Sequence, residues 1–236
     1  MISDQAIITM NQGYSTTDPF PYIVIDNFLK PEWIEPVLQS VRSMKSENAQ
    51  TKFINPYNPN ERSKYAFDSG FDETLTNLFK ELADDRFVTS VEKMSGIHPI
   101  IRNDTTLRGG GVHRIHSGGF LAMHTDFNTY DHSQHGKLDR RLNLLLYLNP
   151  EWKDEYNGHL QLHDKTGLRN SIAPILNRCV IFNTTNKSIH GHPVPLNTPI
   201  GVYRESIAVY YYTKNTNGSV DFEGDAPHCT VWHKTE

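Results

Sequence analysis

His124 and Asp126 stand two residues apart at the end of Gly118-Gly-Phe-Leu-Ala-Met-His-Thr-Asp126, an apolar stretch of extended character. In an extended chain residues i and i+2 point to the same side, so this imidazole and carboxylate can meet one ion while Thr125 faces away. Such a pair suits a divalent first-row metal, and a second histidine from elsewhere would complete a two-histidine, one-carboxylate set with coordination positions left open. The distal candidates lie in Ser188-Ile-His190-Gly-His192-Pro193. Both histidines have the same parity, and spacing alone does not choose between them.

Further along, Arg204 and Ser206 share one face of a strand-like segment, with Glu205, Ile207 and Val209 opposite. A planar guanidinium fork with a hydroxyl beside it suits a carboxylate. In the segment 142–148, Leu142, Leu144, Leu146 and Leu148 fall on one face and Arg141, Asn143, Leu145 and Tyr147 on the other. A half-exposed sheet would turn Asn143 and Tyr147 to water; a barrel with a polar interior would turn them to a ligand. His132 and His135 sit in a polar stretch, Asn128 to Lys137, and read as solvated residues of a loop.

The elements that must position these groups are mostly strands. Short apolar segments recur at 142–148, 159–162, 172–175, 180–182 and 207–212, separated by turn residues, which indicates an antiparallel sandwich or barrel. Pro21 to Asp26 reads as a buried strand, and Trp33, Ile34, Val37, Leu38 and Val41 keep helical spacing. Phe71 to Lys93 reads as helical, with one stripe of Leu75, Leu78, Phe79 and Leu82 and a second of Phe87, Val88, Val91 and Met94. The polar segment 46–66 reads as a loop, a surface connection or a lid over substrate. Residues 1–20 read as an arm or short edge strand, and Gly109-Gly-Gly111 as a bulge or tight turn because it lacks a phosphate-binding context.

Composition narrows the class. The net charge of −4 and the absence of a basic run argue against a nucleic-acid or anionic-membrane partner. Cys179 and Cys229 are the only cysteines, which rules out a disulfide framework. The apolar runs are too short to span a bilayer, and the acidic, uncharged-positive start is unlike a signal peptide, so a cytoplasmic setting is expected.

His124-Thr-Asp126, Ser188-Ile-His190-Gly191 and Arg204-Glu-Ser-Ile-Ala-Val-Tyr-Tyr-Tyr-Thr213, in this order, resemble the Fe(II)/2-oxoglutarate-dependent dioxygenases of the prolyl-4-hydroxylase-like branch. Between them, Tyr147-Leu-Asn149-Pro-Glu-Trp152 and Asn157-Gly-His-Leu160 resemble two further segments of that branch. The resemblance spans residues 107–213 and implies a mainly β fold, a double-stranded β-helix (jelly-roll) with flanking helices. It implies a single domain: 1–103 supporting, 104–213 catalytic, and 214–236 a tail. By the same resemblance His124, Asp126 and His190 are the iron ligands, with His192 as competitor for the last place. Arg204 is the anchor of 2-oxoglutarate, helped by Tyr147, Ser206 and Asn143.

The implied cofactors are Fe(II), 2-oxoglutarate and O2, with ascorbate besides. The implied reaction is hydroxylation of a prolyl residue in a peptide or protein; a free amino acid or other small molecule is the alternative. A metal-binding jelly-roll without catalysis is the rival of a different class. The chain departs from the branch at Asn157, where a glycine is usual, and at Ile115, where a tyrosine often contacts the co-substrate.

Overall fold

Antiparallel pairing organises the molecule. The computed structural model describes residues 1–12, 14, 18–215 and 227–234. Its strands are β1 (Tyr22–Ile25), β2 (Thr51–Phe53), β3 (Glu61–Phe67), β4 (Gly111–Thr125), β5 (Thr129–His132), β6 (Gly136–Tyr147), β7 (Leu160–Asp164), β8 (Gly167–Ile172), β9 (Arg178–Asn183), β10 (Ile189–His192), β11 (Arg204–Lys214) and β12 (Val231–Trp232). The main path runs β1-β9-β6-β11-β4-β10-β7-β8, with β3 and β12 also on β4, β2 on β3 and β5 on β6. This curled sheet is the jelly-roll core.

The curl depends on β4. Its first half pairs with β11 and β3; its end pairs with β10 and β12. Between the halves Gly118 takes φ +75°, and a Cβ on Gly119 would lie 2.5 Å from the Ile115 side chain and 2.8 Å from the Arg62 carbonyl oxygen. Only glycines let the strand pass from one layer to the other here.

Alternation sets the two faces of the sheet as the leucine pattern requires. Leu142, Leu144 and Leu146, with Ile207 and Val209, enter one apolar cluster shared with the helices. Truncating one such buried leucine to alanine costs about 2–5 kcal/mol. Their opposite face lines a cavity that includes Asn143, Leu145, Arg204 and Ser206.

The helices are α1 (Asp4–Met10), α2 (Pro31–Ser43), α3 (Glu73–Ala83) and α4 (Asp85–Ser95). Proline at its first position starts α2. The expected arm at 1–20 is instead partly helix, because Ser3 caps α1 by accepting from the Ala6 amide and Ala6 and Met10 are buried. The single helical stretch expected over 71–93 is two helices. Asp84 ends the first and caps the second, accepting from the Phe87 amide in an extended conformation. The expected loop 46–66 holds the β2–β3 hairpin, whose strands are mostly polar in sequence and so lack apolar alternation, with Thr51, Glu61 and Lys64 lining the cavity. The loop expected at 128–137 is likewise a hairpin, β5 on β6, and its His132 is buried, accepting from the amides of Gln134 and His135. The stretch 172–175 leaves the sheet after Ile172.

Of the tail, Val220 and Phe222 lie outside the described residues, whereas Val231 and Trp232 pair with Thr125 and His124.

Candidate metal centre and anion pocket

Pairing of β4 with β10 sets His190 directly opposite His124. Asp126 follows immediately after β4. The nitrogens of His124 and His190 and an oxygen of Asp126 all lie within 4.8 Å of one another. The His124 Nε2–Asp126 Oδ1 separation is 3.6 Å and that of His190 Nε2 to Asp126 Oδ2 is 3.4 Å. Three atoms at about 2.1 Å from one ion, at right angles, would stand about 3 Å apart. The two histidine–aspartate separations are thus close to that spacing.

The supporting contacts orient each group. Nδ1 of His124 lies 2.9 Å from the Ala122 carbonyl oxygen, and Nδ1 of His190 lies 2.9 Å from that of Ser188. A carbonyl only accepts, so each ring carries its proton on Nδ1 and turns the Nε2 lone pair to the centre. Asp126 Oδ2 accepts from Asn143 Nδ2 at 2.7 Å and from Arg140 Nη2 at 3.1 Å. Arg140 Nε donates to Asn143 Oδ1 at 2.9 Å, and its guanidinium lies between the rings of Phe127 and Tyr210. Burial pushes the Asp126 carboxyl up, but Arg140, His190 and His124 outweigh this and hold it well below the usual range. Burial and the neighbouring His124 take His190 down to about 4. At neutral pH the centre therefore offers a carboxylate and a neutral imidazole, the forms that bind metal.

Arg140 was not foreseen, and the reason is a β-bulge. Tyr211 pairs with Leu142 but Tyr212 pairs with Arg140, so β6 carries one extra residue there. Strict alternation assigns the inward face to Arg141; the bulge gives it to Arg140. Asn143, read as a helper for the co-substrate, has its amide on Asp126.

Away from the metal cluster the cavity becomes cationic. On β3, β4 and β11, Lys64, Ile115 and Arg204 occupy one row; Ala66, His113 and Ser206 occupy the next, continued by Tyr147 on β6. Arg204 is buried; its Nε donates to the Gly158 carbonyl at 2.7 Å and Nη2 to the Tyr147 hydroxyl at 3.4 Å. Among the described residues no carboxylate pairs with it. Burial lowers its pKa, offset by Tyr147. A buried guanidinium without a counter-ion fits an incoming carboxylate. Gly158 cannot carry a side chain, since a Cβ would meet Leu196 at 2.5 Å and Arg204 at 3.1 Å. Asn157 beside it takes φ 61°, the positive value its place in the turn implies.

His192 lies on the same side of β10 as His190 but outside the metal cluster. Thr230 and Trp232 also line the cavity, with the Trp232 ring 5.3 Å from that of His124. The tail carried no signal for this role, because nothing in it marks pairing with a distant strand.

Residues 110–212 match the family model of the 2OG-Fe(II) oxygenase superfamily. No curated protein matches the sequence. Among solved structures the chain is similar to a prolyl hydroxylase from Trichoplax adhaerens in complex with a hypoxia-inducible-factor peptide fragment: TM-score 0.60, 20% identity, 88% of this chain and 87% of that one. A Pseudomonas putida prolyl-4-hydroxylase gives TM-score 0.59 at 14% identity, over 88% of this chain and 100% of the other. HygX from Streptomyces hygroscopicus, with nickel, 2-oxoglutarate and hygromycin B bound, gives 0.53 at 13% identity, over 99% and 98%. At such identities the likeness is one of fold. Among the described residues no helix is long and apolar enough to cross a membrane. Taken with the His-Asp-His cluster, the family match over residues 110–212 and the likeness of fold to prolyl hydroxylases support a 2-oxoglutarate-dependent dioxygenase whose core is of the 2OG-Fe(II) oxygenase superfamily.

Proposed function

We propose that this dioxygenase hydroxylates a prolyl residue presented by a peptide or protein. The observation that carries this reading is the small cavity with an apolar-tipped hairpin in its wall. The cavity measures about 250 Å³, below the roughly 300–1,000 Å³ of pockets that bury a whole ligand, and so suits a five-carbon ketoacid with one ring from outside. Beside it the β2–β3 hairpin contributes Phe53 to the wall and carries Ile54 and Tyr57 at its tip, 61% and 89% exposed. Apolar side chains held out on a strand pair that lines the cavity suit a chain lying across it.

In this reading His124 Nε2, Asp126 Oδ1 and His190 Nε2 hold Fe(II). Arg204 takes the distal carboxylate of 2-oxoglutarate, with the Tyr147 and Ser206 hydroxyls as further donors, while Asn143 and Arg140 hold Asp126. When bound, the metal and ketoacid supply the oxidation: O2 is consumed, succinate and CO2 leave, and one oxygen atom enters the substrate C–H bond. The chain's own part is geometric. Arg204 sets one orientation of the ketoacid, and Trp232, Phe127 and Leu160 shield the centre from water. Ascorbate would serve as an accessory reductant.

A small polar substrate is the second reading. One feature favours it: Lys64 and Glu61, 3.4 Å apart in the cavity wall, offer an ammonium and a carboxylate to a charged molecule.

Succinate release from protein reconstituted with Fe(II) and given O2 and ascorbate tests both readings, with proline peptides, free amino acids and aminoglycosides as candidates. Turnover that rises with a proline peptide, with one oxygen atom added to the peptide by mass and none with His124→Ala, supports the first. A response to a small molecule alone supports the second.

A further inference from the structure

His192 is the residue of the cavity that this scheme leaves unused. It is only 3% exposed, and neither Nδ1 nor Nε2 has a hydrogen-bond partner. A buried polar atom left unpaired is costly, and this ring carries two. The other buried histidines of the cavity are engaged: His113 with the Gly109 carbonyl oxygen, His124 with Ala122 and His190 with Ser188. Metal ligation does not account for His192 either, since the cluster of ligand atoms is His124, Asp126 and His190.

Its position supplies the missing partner. Two residues beyond His190 on β10, it points to the same interior as the metal-facing histidine. It lines the cavity together with Arg204, Ser206 and Lys64. It thus shares one cavity with the metal cluster and with the unpaired guanidinium, the two groups a bound ketoacid would join. An imidazole carries at least one N–H in either charge state, so it can donate to a carboxylate oxygen.

We propose that His192 is a binding residue for the co-substrate, donating a hydrogen bond to the distal carboxylate alongside Arg204. The proposal rests on the reading of Arg204 as the 2-oxoglutarate anchor. It makes the carboxylate pocket a guanidinium–imidazole pair, and turns the second histidine of His190-Gly-His192 from a rival metal ligand into a selector of the co-substrate.

Zn(II)-loaded protein, which cannot turn over, allows binding to be read by calorimetry without activity. Wild type, His192→Leu and His192→Gln would be titrated with 2-oxoglutarate and with 2-oxopentanoate, which keeps the ketoacid end and lacks the distal carboxylate. His192→Leu should bind 2-oxoglutarate roughly tenfold more weakly or worse, as expected for a lost hydrogen bond to a charged group. It should bind 2-oxopentanoate as wild type does. His192→Gln, which keeps a donor, should recover most of the affinity. His192→Leu should melt no lower than wild type when metal-free, because the leucine removes two unpaired atoms. Unchanged 2-oxoglutarate affinity in His192→Leu, or equal weakening of both ketoacids, overturns the proposal while leaving the Arg204 reading intact. Wild type that does not distinguish the two ketoacids overturns the Arg204 reading and the proposal with it.

Discussion

The two ends of the cavity are built on opposite principles. At the metal end the orienting atoms are satisfied before anything binds: each histidine Nδ1 has its carbonyl, and Asp126 Oδ2 has Asn143 and Arg140. At the far end the polar groups are left wanting, with Arg204 buried beside a hydroxyl and a carbonyl and His192 without partners. On the proposed reading the first end holds a small ion in one geometry and the second is completed by an anion, so its cost to the free fold returns as affinity.

This contrast makes Arg204→Met the most telling substitution. Removing an interaction with a buried charge costs about 2–5 kcal/mol, so 2-oxoglutarate affinity should fall by roughly 10²- to 10³-fold or more. The metal-free protein should nevertheless melt at the same temperature or higher, because the variant no longer buries an uncompensated cation. Thermal melts with and without 2-oxoglutarate check both halves. A marked loss of stability in the free protein would break the comparison and make Arg204 a strut between β11 and the Gly158 turn.

At the other end, Arg140→Leu should act in the opposite sense. It removes the cation from Asp126 and the donor to Asn143, loosening the carboxylate. Contacts of this kind are worth about 10- to 100-fold in metal affinity. Competition with a fluorescent chelator measures that loss, and 2-oxoglutarate affinity at saturating metal should barely move. If both ligands weaken equally, the two ends are one cooperative unit and not two.

Much of this arrangement was legible in the sequence where a simple period was unbroken. His124 with Asp126, Arg204 with Ser206, and the leucines of β6 each follow i, i+2 alternation, and the structure sets each pair on the face that alternation assigns. The failures fall where that period is interrupted or masked. The bulge at Arg140–Leu142 exchanged which of two adjacent arginines faces the site. The β2–β3 hairpin lacked apolar alternation because its strands place Thr51, Glu61 and Lys64 in the cavity wall and not in the apolar core. Asp84 could be read as one polar residue of a long helix, yet its side chain caps a new one. The pairing of Trp232 with His124 joins residues that no local pattern connects. Local periodicity therefore reported the candidate ligands, while the groups that hold or cover them came from register and long-range pairing.

The smallest expected effect probes how far the cationic end extends. Burial, with the charges of Lys64, Arg204 and Arg140, takes His113 down to about 3, against a weak opposing pull from the Gly109 carbonyl. In the unfolded chain a histidine titrates near about 6.5. As pH falls below that value the unfolded state takes up a proton that the native state refuses, so stability is lost on acidification. The slope from this residue approaches about 1.4 kcal/mol per pH unit and persists until the native ring protonates near the bottom of the window. Urea denaturation of the metal-free protein at pH 7, 6 and 5 should show wild type losing stability more steeply than His113→Gln, by about that slope below pH 6. In an Arg204→Met background the difference between His113 and His113→Gln should shrink, since one of the charges opposing protonation is gone. An unchanged difference would mean that burial alone keeps His113 neutral, and that the guanidinium's influence stops short of the row occupied by Ala66, His113 and Ser206.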